Sequence, residues 1–559
     1  MNSMTISTII LCAGKVDISN LPIGTNISNA TIPVNGKPVI AWILDDLIRK
    51  GFRENIHVVV RSEDKKLQML LLRVYAKKAG VKCIPLVEPS SILVSLWAGL
   101  SSLSDGGAVQ IILGDTLIRD DFECKQNMVY VGEVDDSKRW CLALMDEHSR
   151  LTDLIDKKEN QYLSRQALAG YYFFADTLLL KSAVKQSLES GEKELSAAIR
   201  LYMREKPIQT RRAKEWYDFG HIDNLLNAKR NLMRPRYFNH LEINPVLNTI
   251  KKNSENTEKL RDELDWYLQI PDELKALTPR ILHYETQGNQ VEITQEYYGY
   301  PTLSEIYVYS DLHPENWMII LRHLIRIHQQ FCKYKAVMPS DVLVDMYITK
   351  TEKRLVTLMQ SAYWHDLLNR KEIIYNGRAY QNFGLLRPFI ETVVEEMKQD
   401  FLPCIIHGDF CFSNILYDFA NQIVRLIDPR GSFGVKGIYG DPRYDMAKLR
   451  HSVAGMYDFI VSDLFDVRES EDGFQGEIFN MQNLNPVIEN FDQKLVESGY
   501  NLQHIKVIEG LLFISMLPLH QDYPKRQLMM FLTGIVRLNE VKEFYTLQQE
   551  SQLQKPYTV

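Results

Sequence analysis

Apolar and polar positions alternate in a regular way along the N-terminal part of the chain. From Ser7 to about Asn231, short runs rich in Val, Ile and Leu are separated by longer stretches with helical spacing of apolar positions. Examples of the short runs are Ile56 to Arg61, Val109 to Leu113 and Gly170 to Ala175. Short apolar strands that alternate with amphipathic helices are typical of βαβ units. The pattern predicts an α/β domain with a mostly parallel sheet.

The alternation ends between Leu232 and Asn244, where Pro235 stands among clustered basic and aromatic residues. Such a break in periodicity is typical of a connection between two folded regions. We therefore expect a domain boundary at this point. The first domain would cover residues 1–235 and the second would cover residues 236–559.

The second domain carries two kinds of pattern. Residues 245 to about 300 have the alternation of a small sheet with one helix, whereas residues 315–400 and 440–550 have long helical periodicity. We expect a small lobe over about residues 236–305. A larger and mainly helical lobe would follow over about residues 306–559.

Composition limits the classes of protein that fit. A chain of 559 residues exceeds what one hydrophobic core usually supports, and 45% hydrophobic with 24% charged residues is ordinary for a globular protein. The net charge of −6 shows no basic excess, so we expect no nucleic-acid partner. The segment nearest to a membrane span, Gly510 to Leu519, is shorter than the roughly 18 residues that cross a bilayer. Seven cysteines without paired spacing suit a reducing compartment, and we expect a soluble, cytoplasmic protein.

The most informative segment runs from Cys404 to Gly431, CIIHGDFCFSNILYDFANQIVRLIDPRG. An apolar strand ends at His407-Gly408-Asp409, and two further strands, Ile415–Tyr417 and Ile423–Ile427, follow around a turn near Asn421. Asp409 therefore lies at the end of a strand. The pattern predicts a hairpin directly after it.

Asn414 and Asp428 each lie seven residues from Asn421, so a hairpin without a bulge would make them approximate cross-strand neighbours. An amide and a carboxylate at this place form a candidate magnesium site, because magnesium prefers oxygen ligands together with phosphate oxygens and water. Phosphoryl transfer also needs a carboxylate beside the attacking hydroxyl. Asp409 supplies that carboxylate.

The arrangement HGDxxxxN, followed fourteen residues later by IDPRG, resembles the aminoglycoside phosphotransferase and choline kinase superfamily over roughly residues 240 to 550. The resemblance implies a two-lobed, protein-kinase-like fold with ATP in the cleft between the lobes. It implies that Asp409 is the catalytic base and that Asn414 and Asp428 are magnesium ligands. It also suggests structural roles for Asp441 and Asp445 in the segment GDPRYDMAKL.

Kinases of this type hold the nucleotide phosphates with a strand lysine that a helix glutamate pairs with. Lys251 or Lys252 and then Glu263 fit these roles, and the family pattern, in which Ser or Thr soon follows the lysine, favours Lys252. The alternative for Lys252 and Glu263 is a surface ion pair. The segment Glu296-Tyr297-Tyr298 resembles the hinge that contacts adenine through its backbone. For His407 we expect a role in holding the loop backbone.

Residues 7 to 231 resemble the sugar-phosphate nucleotidyltransferase family, which has a Rossmann-like fold and joins a nucleoside triphosphate to a phosphorylated small molecule. The segments that carry the resemblance are TIILCAG, IPVNGKPVIAWILDDL, IILGDT, LIDKKE, AGYYFF and WYDFGHIDNLLNA. The resemblance implies that Asp115 and Asp218 hold magnesium against the triphosphate. It also implies that Lys157 contacts the substrate phosphate, that Lys37 matches the lysine of the GKP motif, and that the backbone at Gly14 faces the nucleotide phosphates.

The loop after the first strand departs from the family pattern. It reads AGKVDISNLPIGTNISNATIPV, which lacks the usual arginine and has Asn29 where the usual lysine falls. Those cations normally neutralise phosphate charge, so a transferase and a purely binding domain are both open, and Lys15 is the candidate replacement cation. The segment Ser91 to Leu96 resembles the NxxSL pattern of phosphocholine cytidylyltransferases, which favours CTP as the nucleotide.

These features predict a bifunctional enzyme of bacterial surface-polysaccharide synthesis. The second domain would phosphorylate a small alcohol or sugar with ATP, and the first would couple the phosphate to CTP or another nucleotide, with magnesium in both sites. One alternative is a kinase whose first domain only binds a ligand. The other is an antibiotic phosphotransferase. The sequence leaves the acceptor open among choline, another amino alcohol, an alditol and an amino sugar.

Overall fold

The computed structural model describes residues 5–14, 28–104, 106–135, 137–156, 164–232, 239–254, 257–288, 290–480 and 482–553. The chain divides into two compact units. The first comprises Met1–Met233 with Tyr309–Asp311, and the second comprises Arg234–Val308 with Leu312–Val559.

The first unit is an α/β structure. Its strands are β1 (Ile6–Leu11), β2 (Pro33–Val34), β3 (Lys37–Pro38), β4 (Ile56–Arg61), β5 (Lys82–Leu86), β6 (Ala108–Leu113), β7 (Thr116–Ile118), β8 (Met128–Glu133), β9 (Leu142–Met145), β10 (Leu151–Ile155), β11 (Gln166–Phe174), β12 (Gln209–Arg212) and β13 (Trp216–Asp218). Its helices are α1 (Val39–Arg49), α2 (Lys65–Leu70), α3 (Ala76–Ala79), α4 (Ile92–Ser101), α5 (Thr177–Glu189), α6 (Leu195–Glu205) and α7 (Ile222–Asn231).

The main sheet of this unit is mixed. Its order is β10-β9-β11-β6-β1-β4-β5, with β8 paired to β11 and β12 paired to β8. The strands β5, β4, β1 and β6 are parallel, as the sequence predicts, but β11 is antiparallel to β6, β8 and β9. The expectation of a mostly parallel sheet is wrong for the part of the sheet that β8, β9, β10 and β11 form. A short connection such as that between β9 and β10 can only return antiparallel, because a parallel crossover needs about a dozen residues.

The second unit begins with a four-stranded antiparallel sheet and one long helix. The strands are β14 (Asn239–Asn244), β15 (Thr249–Ser254), β16 (Ile281–Gln287) and β17 (Gln290–Glu296), in the order β14-β15-β17-β16. Between β15 and β16 lie α8 (Thr257–Gln269) and the short α9 (Asp272–Lys275). A small core of Leu260, Leu264, Val291 and Ile293 joins α8 to the sheet.

The remainder of the second unit is mainly helical. Its helices are α10 (Leu303–Tyr309), α11 (Pro314–Phe331), α12 (Val342–Val344), α13 (Lys350–Leu358), α14 (Ala362–Asn369), α15 (Phe383–Gln399), α16 (Pro442–Val453), α17 (Tyr457–Val461), α18 (Asn485–Glu497), α19 (Leu502–Ser515) and α20 (Pro524–Leu553). Its short strands are β18 (Glu372–Tyr375), β19 (Arg378–Gln381), β20 (Cys404–Ile405), β21 (Ile415–Asp418), β22 (Ile423–Leu426), β23 (Ser432–Phe433), β24 (Val435–Lys436), β25 (Tyr439–Gly440), β26 (Phe465–Ser470) and β27 (Gly473–Ile478). No helix within the described residues is long and apolar enough to cross a membrane.

Helix α16 is buried along almost its whole length, from Arg443 to Val453. Arg450 fixes it to two neighbouring helices. Its guanidinium forms two bonds with Asp492 of α18, at 2.8 and 2.9 Å, and a further ion pair with Glu509 of α19. Because Arg450 is 2% exposed and Glu509 is fully buried, these charges depend on one another for neutralisation.

We predict that Arg450→Met lowers the local free energy of unfolding by about 3–5 kcal/mol, because it leaves the buried Glu509 carboxylate with only the Arg537 guanidinium, 3.9 Å away. Native-state hydrogen exchange on peptides from α16 and α19 measures the loss. The matched control is Arg468→Met, whose side chain is 71% exposed beside Asp466 and which we expect to change stability by less than about 0.5 kcal/mol. Equal protection in both variants would contradict the prediction.

Candidate active sites

The first candidate site lies where β6 and β13 end. Asp115 follows β6, and Asp218 is the last residue of β13, paired in register with Thr116 of β7. The Phe219 amide donates to the Asp115 carbonyl at 2.8 Å, which fixes the two segments side by side. A Cβ atom added to Gly220 would lie 3.0 Å from Asp115 Oδ2 and 3.4 Å from Asp218 Oδ1. The two predicted metal ligands therefore face the same small space.

Neutral amides and one histidine contact these carboxylates. The Asn29 amide donates to Asp115 Oδ2 at 2.9 Å, the Asn224 amide donates to Asp218 Oδ2 at 2.9 Å, and His221 Nδ1 lies 2.9 Å from the same oxygen. Burial, and after it the charge of Asp218, raises the pKa of Asp115. The hydrogen bond to Asp218 raises the pKa of His221. Two close carboxylates that accept bonds from neutral amides, with a single histidine beside them, have the chemistry of a site for a divalent cation.

The other residues predicted for this site are distributed differently. Lys37 forms an ion pair with Asp45 of α1 and lies 4.3 Å from the Trp42 ring, so its charge is directed to α1 instead of to the two carboxylates. Gly14 follows β1, and a Cβ added there would meet no atom within 4 Å. Lys15 and Lys157 lie outside the described residues. Among the residues that are described, no group of three or more His, Cys, Asp or Glu side chains is arranged to hold a metal.

Three aromatic rings lie close together beside Asp218, and the sequence pattern did not indicate this cluster. Trp140 lies with its ring 5.0 Å from that of Trp216 and 5.2 Å from that of His221, and all three side chains are partly exposed. Trp216 and His221 flank Asp218 in the motif WYDFGH, which the sequence analysis did single out. Trp140 comes from a distant loop, so only the three-dimensional fold brings it to this site.

The second candidate site lies around the hairpin of β21 and β22. The pairs Ile415 with Leu426 and Asp418 with Ile423 set its register, and the Ile427 amide donates to the Asn414 carbonyl at 3.0 Å. The direct partner of Asn414 is thus Ile427, so Asp428 lies one residue beyond exact pairing with Asn414, where the sequence predicts approximate neighbours. The turn has four residues, so the centre of the hairpin lies half a residue before Asn421. Asp428 nevertheless follows immediately, with a left-handed φ of 56°.

Lys252 joins three elements of this site. Its ammonium lies 2.9 Å from Glu263 Oε1 of α8 and 2.5 Å from Asp428 Oδ1. Lys252 and Glu263 are only 7% and 6% exposed, so this is a buried ion pair and the surface alternative does not describe it. The neighbouring Lys251 is instead partly exposed and pairs with Glu292 at 2.8 Å. Burial lowers the pKa of Lys252, but the charges of Asp428 and Glu263 outweigh burial and hold it well above the usual value.

Asp409 is held by an amide and an ammonium. The Asn414 amide donates to Asp409 Oδ2 at 3.0 Å, and the Lys448 ammonium of α16 lies 2.8 Å from Asp409 Oδ1. Burial raises the pKa of Asp409, but Lys448 outweighs it and holds the pKa well below the usual range. The side-chain nitrogen of Asn414 is occupied by Asp409, so the side-chain oxygen Oδ1 is the atom left to bind a cation. Among the described residues, Oδ1 accepts only a long bond, 3.4 Å, from the Ser413 hydroxyl.

The loop that carries Asp409 is anchored by α16. The amides of His407 and Gly408 donate to the two oxygens of Asp445, at 2.7 and 2.8 Å. Asp441 caps the start of α16 and accepts a bond from Tyr347 at 2.8 Å. His407 is fully buried, and burial lowers its pKa to about 4. These contacts give Asp441, Asp445 and His407 the task of positioning the loop.

The segment predicted to contact adenine leads into a separate cavity. The Tyr297 amide donates to the Asn248 carbonyl at 2.8 Å, and Tyr298 packs under the Arg425 guanidinium at 5.1 Å. A cavity of about 510 Å³ is lined by Tyr298, Arg425 and residues of α8 and β16. Since Asp409, Asn414, Lys252 and Asp428 do not line it, we do not assign it to phosphoryl transfer.

We predict a loss of stability on acidification that depends on His407. The folded chain keeps this ring neutral until about pH 4, whereas the unfolded chain binds a proton below about pH 6.5, so stability falls as the pH drops between these values. His407→Gln removes the titrating group. Relative to pH 7.5, it should therefore lose about 2–3 kcal/mol less than the wild type at pH 4.5, as measured by urea unfolding. The exposed His365→Gln serves as control, and a pH dependence of His407→Gln equal to wild type would refute the assignment.

Comparison with known proteins gives a match for the first unit. Residues 8–234 match the family model described as Nucleotidyl transferase. The chain is 24% identical over 232 residues to the bifunctional protein GlmU of Methanococcus aeolicus, covering 40% of this chain and 54%, about half, of that protein. It is 26% identical over 233 residues to the glucose-1-phosphate thymidylyltransferase of Xanthomonas campestris pv. campestris, covering 39% of this chain and 78% of that protein.

The comparison with solved structures includes a nucleoside-diphosphate-sugar pyrophosphorylase from Vibrio cholerae. The identity is 13% and the TM-score is 0.34, with 40% of this chain and 99% of that chain covered. The family match and the first unit coincide closely, since the match ends at residue 234 and the unit ends at Met233. Residues 8–234 of this chain are a nucleotidyl transferase domain.

Proposed function

We propose that the chain is a bifunctional enzyme that works in the cytoplasm on precursors of a bacterial surface polysaccharide. The second unit transfers the γ-phosphoryl group of ATP to the hydroxyl of a small alcohol or sugar. The first unit then couples the resulting phosphate to a nucleoside triphosphate, with CTP favoured, and releases pyrophosphate. The observation that carries the kinase half is the buried contact of Lys252 with both Glu263 and Asp428, close to Asp409 and Asn414.

The parts that phosphoryl transfer requires occur together in the second unit. A strand lysine paired with a helix glutamate holds the phosphates in protein kinases, and an aspartate and an asparagine hold the metal. Lys252, Glu263, Asp428 and Asn414 fit these roles by residue type and by contact. Asp409, whose side chain is 39% exposed, is accessible to an acceptor. Together these groups would bind Mg-ATP and the acceptor for phosphoryl transfer.

In this reaction the acceptor oxygen attacks the γ-phosphorus, the bond from that phosphorus to the ADP oxygen breaks, and the hydroxyl proton passes to Asp409. The Lys448 ammonium keeps Asp409 ionised and so able to accept a hydrogen bond from the hydroxyl. Asn414 and Asp428 would hold magnesium, which fits their oxygen donors. When bound, that ion neutralises charge on the phosphates.

The nucleotidyl transfer half is supported by the paired carboxylates of Asp115 and Asp218 and by the family match. The relatives named above include a glucose-1-phosphate thymidylyltransferase, which suggests a sugar phosphate and a nucleoside triphosphate as substrates here. A phosphate oxygen would attack the α-phosphorus of the nucleotide, and the bond to pyrophosphate would break. Asp115 and Asp218 would hold magnesium, which neutralises charge on the triphosphate.

Two features qualify the choice of nucleotide and substrate. Ser91 caps α4, with the Val94 amide donating to its hydroxyl at 3.2 Å, and Ser95 bonds back to the Ser91 carbonyl. These bonds are local to the start of α4 and do not distinguish one nucleotide from another. The preference for CTP rests on the resemblance of Ser91 to Leu96 to the cytidylyltransferase pattern. The partly exposed rings of Trp140 and Trp216 offer an apolar face for a base or a sugar ring beside the carboxylates.

We predict that Asp409→Asn reduces phosphoryl transfer by about 10²- to 10⁴-fold, because the proton acceptor is lost while the groups that bind Mg-ATP remain. The assay combines ATP with choline, ethanolamine, ribitol, hexoses and their derivatives, and identifies phosphorylated products by mass spectrometry. Binding of Mg-ATP is measured in parallel and should stay near the wild-type value. The exposed Asp366→Asn is the control, and near-normal product formation by Asp409→Asn would exclude Asp409 as the base.

We predict that Asp115→Asn or Asp218→Asn lowers pyrophosphate release from CTP at least about 10²-fold, because either change removes a charge that holds the metal. The full-length protein receives the phosphorylated product of its own kinase reaction. Phosphorylation by the second unit should be unchanged, because Asp115 and Asp218 belong to the first unit. The control is Asp153→Asn, whose carboxylate is 58% exposed. If the wild type phosphorylates its acceptor but forms no nucleotide-linked product with any common triphosphate, the first unit has only a binding role.

A further inference from the structure

Basic side chains surround Asp409 on the second unit. Lys448 contacts it directly at 2.8 Å. Arg430 packs over the neighbouring Gly408, where an added Cβ would lie 2.7 Å from Arg430 Cβ. Lys350 and Arg354 are one helical turn apart at the start of α13, which follows a π-helical segment, a feature frequent at functional sites. The charges of Arg430, Arg354, Lys448 and Asp409 all act on Lys350.

These cations have few acidic partners. The Arg430 guanidinium donates to the Tyr444 hydroxyl at 2.9 Å, and the Arg354 guanidinium donates to the Ser515 carbonyl at 2.5 Å. Lys350 makes no side-chain hydrogen bond or ion pair with any residue in the described part of the chain. Only Lys448 is paired with a carboxylate, that of Asp409. The charges of Lys448, Arg430 and Arg354, with Lys350 as a fourth basic group, thus outnumber the one carboxylate of Asp409.

An excess of like charge in a partly buried place is unfavourable unless a ligand balances it. At Lys350 burial is the main cause of a pKa lowered to about 6, and the charges of Arg430, Arg354 and Lys448 lower it further. Lys350, Arg354 and Arg430 are all partly exposed, so a ligand can reach them. Perturbed charged groups of this kind are concentrated at functional sites. A cationic acceptor such as choline or an aminoglycoside would add to the repulsion.

We propose that the phosphoryl acceptor is an anionic alcohol, a hydroxyl compound with a carboxylate or phosphate group that Lys350, Arg354 and Arg430 bind while its hydroxyl faces Asp409. This inference rests on the kinase activity proposed above and specifies its substrate class. The reaction is unchanged: the hydroxyl oxygen bonds to the γ-phosphorus, ADP leaves, and Asp409 receives the proton. The fixed anionic group serves to orient the hydroxyl.

The first test gives the full-length protein Mg-ATP and two matched sets of acceptors. One set is glucose, glucosamine, glucuronate and glucose 6-phosphate, and the other is glycerol, choline, glycerate and glycerol 3-phosphate. We expect kcat/KM for an anionic member to exceed that of its neutral or cationic counterparts by at least about 10²-fold. A preference for neutral or cationic members would overturn the inference and leave the kinase proposal standing. Absence of both phosphoryl transfer and ATP hydrolysis would overturn both.

The second test uses Lys350→Gln, with the exposed Lys353→Gln on the same helix as its control. We expect Lys350→Gln to raise KM for the anionic acceptor about 10- to 100-fold, while kcat and the KM for ATP change less than about threefold. An equal fall in rate with every acceptor, and in ATP hydrolysis, would mean that Lys350 serves the transferred phosphoryl group and would overturn the inference.

A binding measurement is independent of the choice of acceptor. Inorganic sulfate is titrated into the protein while a non-hydrolysable ATP analogue with magnesium occupies the nucleotide site. We expect wild type and Lys353→Gln to bind sulfate alike, and Lys350→Gln to bind it about tenfold or more weakly. Absence of sulfate binding to the wild type, or equal binding by Lys350→Gln, would overturn the inference.

Discussion

The geometry of the second unit depends on one buried ammonium group. Lys252 is in contact with Glu263 on α8 and with Asp428 beyond β22, so a single charge connects the small sheet, its helix and the hairpin. A charge at this depth is tolerated only because two carboxylates neutralise it. The same helix reaches the loop before Asp409, since the Trp266 indole donates to the Ile406 carbonyl at 2.7 Å. The positions of Lys252, Glu263, Asp428 and the loop before Asp409 are therefore linked.

The two candidate sites balance charge in opposite ways. In the first unit, Asp115 and Asp218 accept bonds from the amides of Asn29 and Asn224 and lie beside His221, so a divalent cation could balance their negative charge. In the second unit, cations outnumber the carboxylate of Asp409. This difference in charge fits the proposed order of the two reactions. The second site would bind an anionic acceptor and phosphorylate it, and the first would bind the phosphorylated product beside a metal.

Much of the local structure could be predicted from the sequence, because it depends on neighbouring residues. The strand Ile56–Arg61 has the predicted bounds, and Asp409 stands directly after a short strand and loop, as its apolar run indicates. Sheet direction was harder, since β11 returns antiparallel through connections whose path the apolar pattern does not encode. The sequence predicts Asn414 and Asp428 only as approximate neighbours, because the length of a turn, including the left-handed Gln422, is not fixed by composition. Contacts between distant segments, such as Trp140 with Trp216 and Asp409 with Lys448, had no signal in the sequence.

The pairing of β21 with β22 bears on how relatives of this chain can be found. The backbone bond from Ile427 to Asn414 places Asp428 beside Asn414 whatever happens at the far end of the hairpin. The four residues of the turn could lengthen or shorten without disturbing that end, because loops tolerate insertions better than the ladders they join. The interval of fourteen residues between Asn414 and Asp428 therefore reflects the length of this particular turn and is not required by the site. A pattern search that requires this interval would pass over proteins with the same site on a longer hairpin.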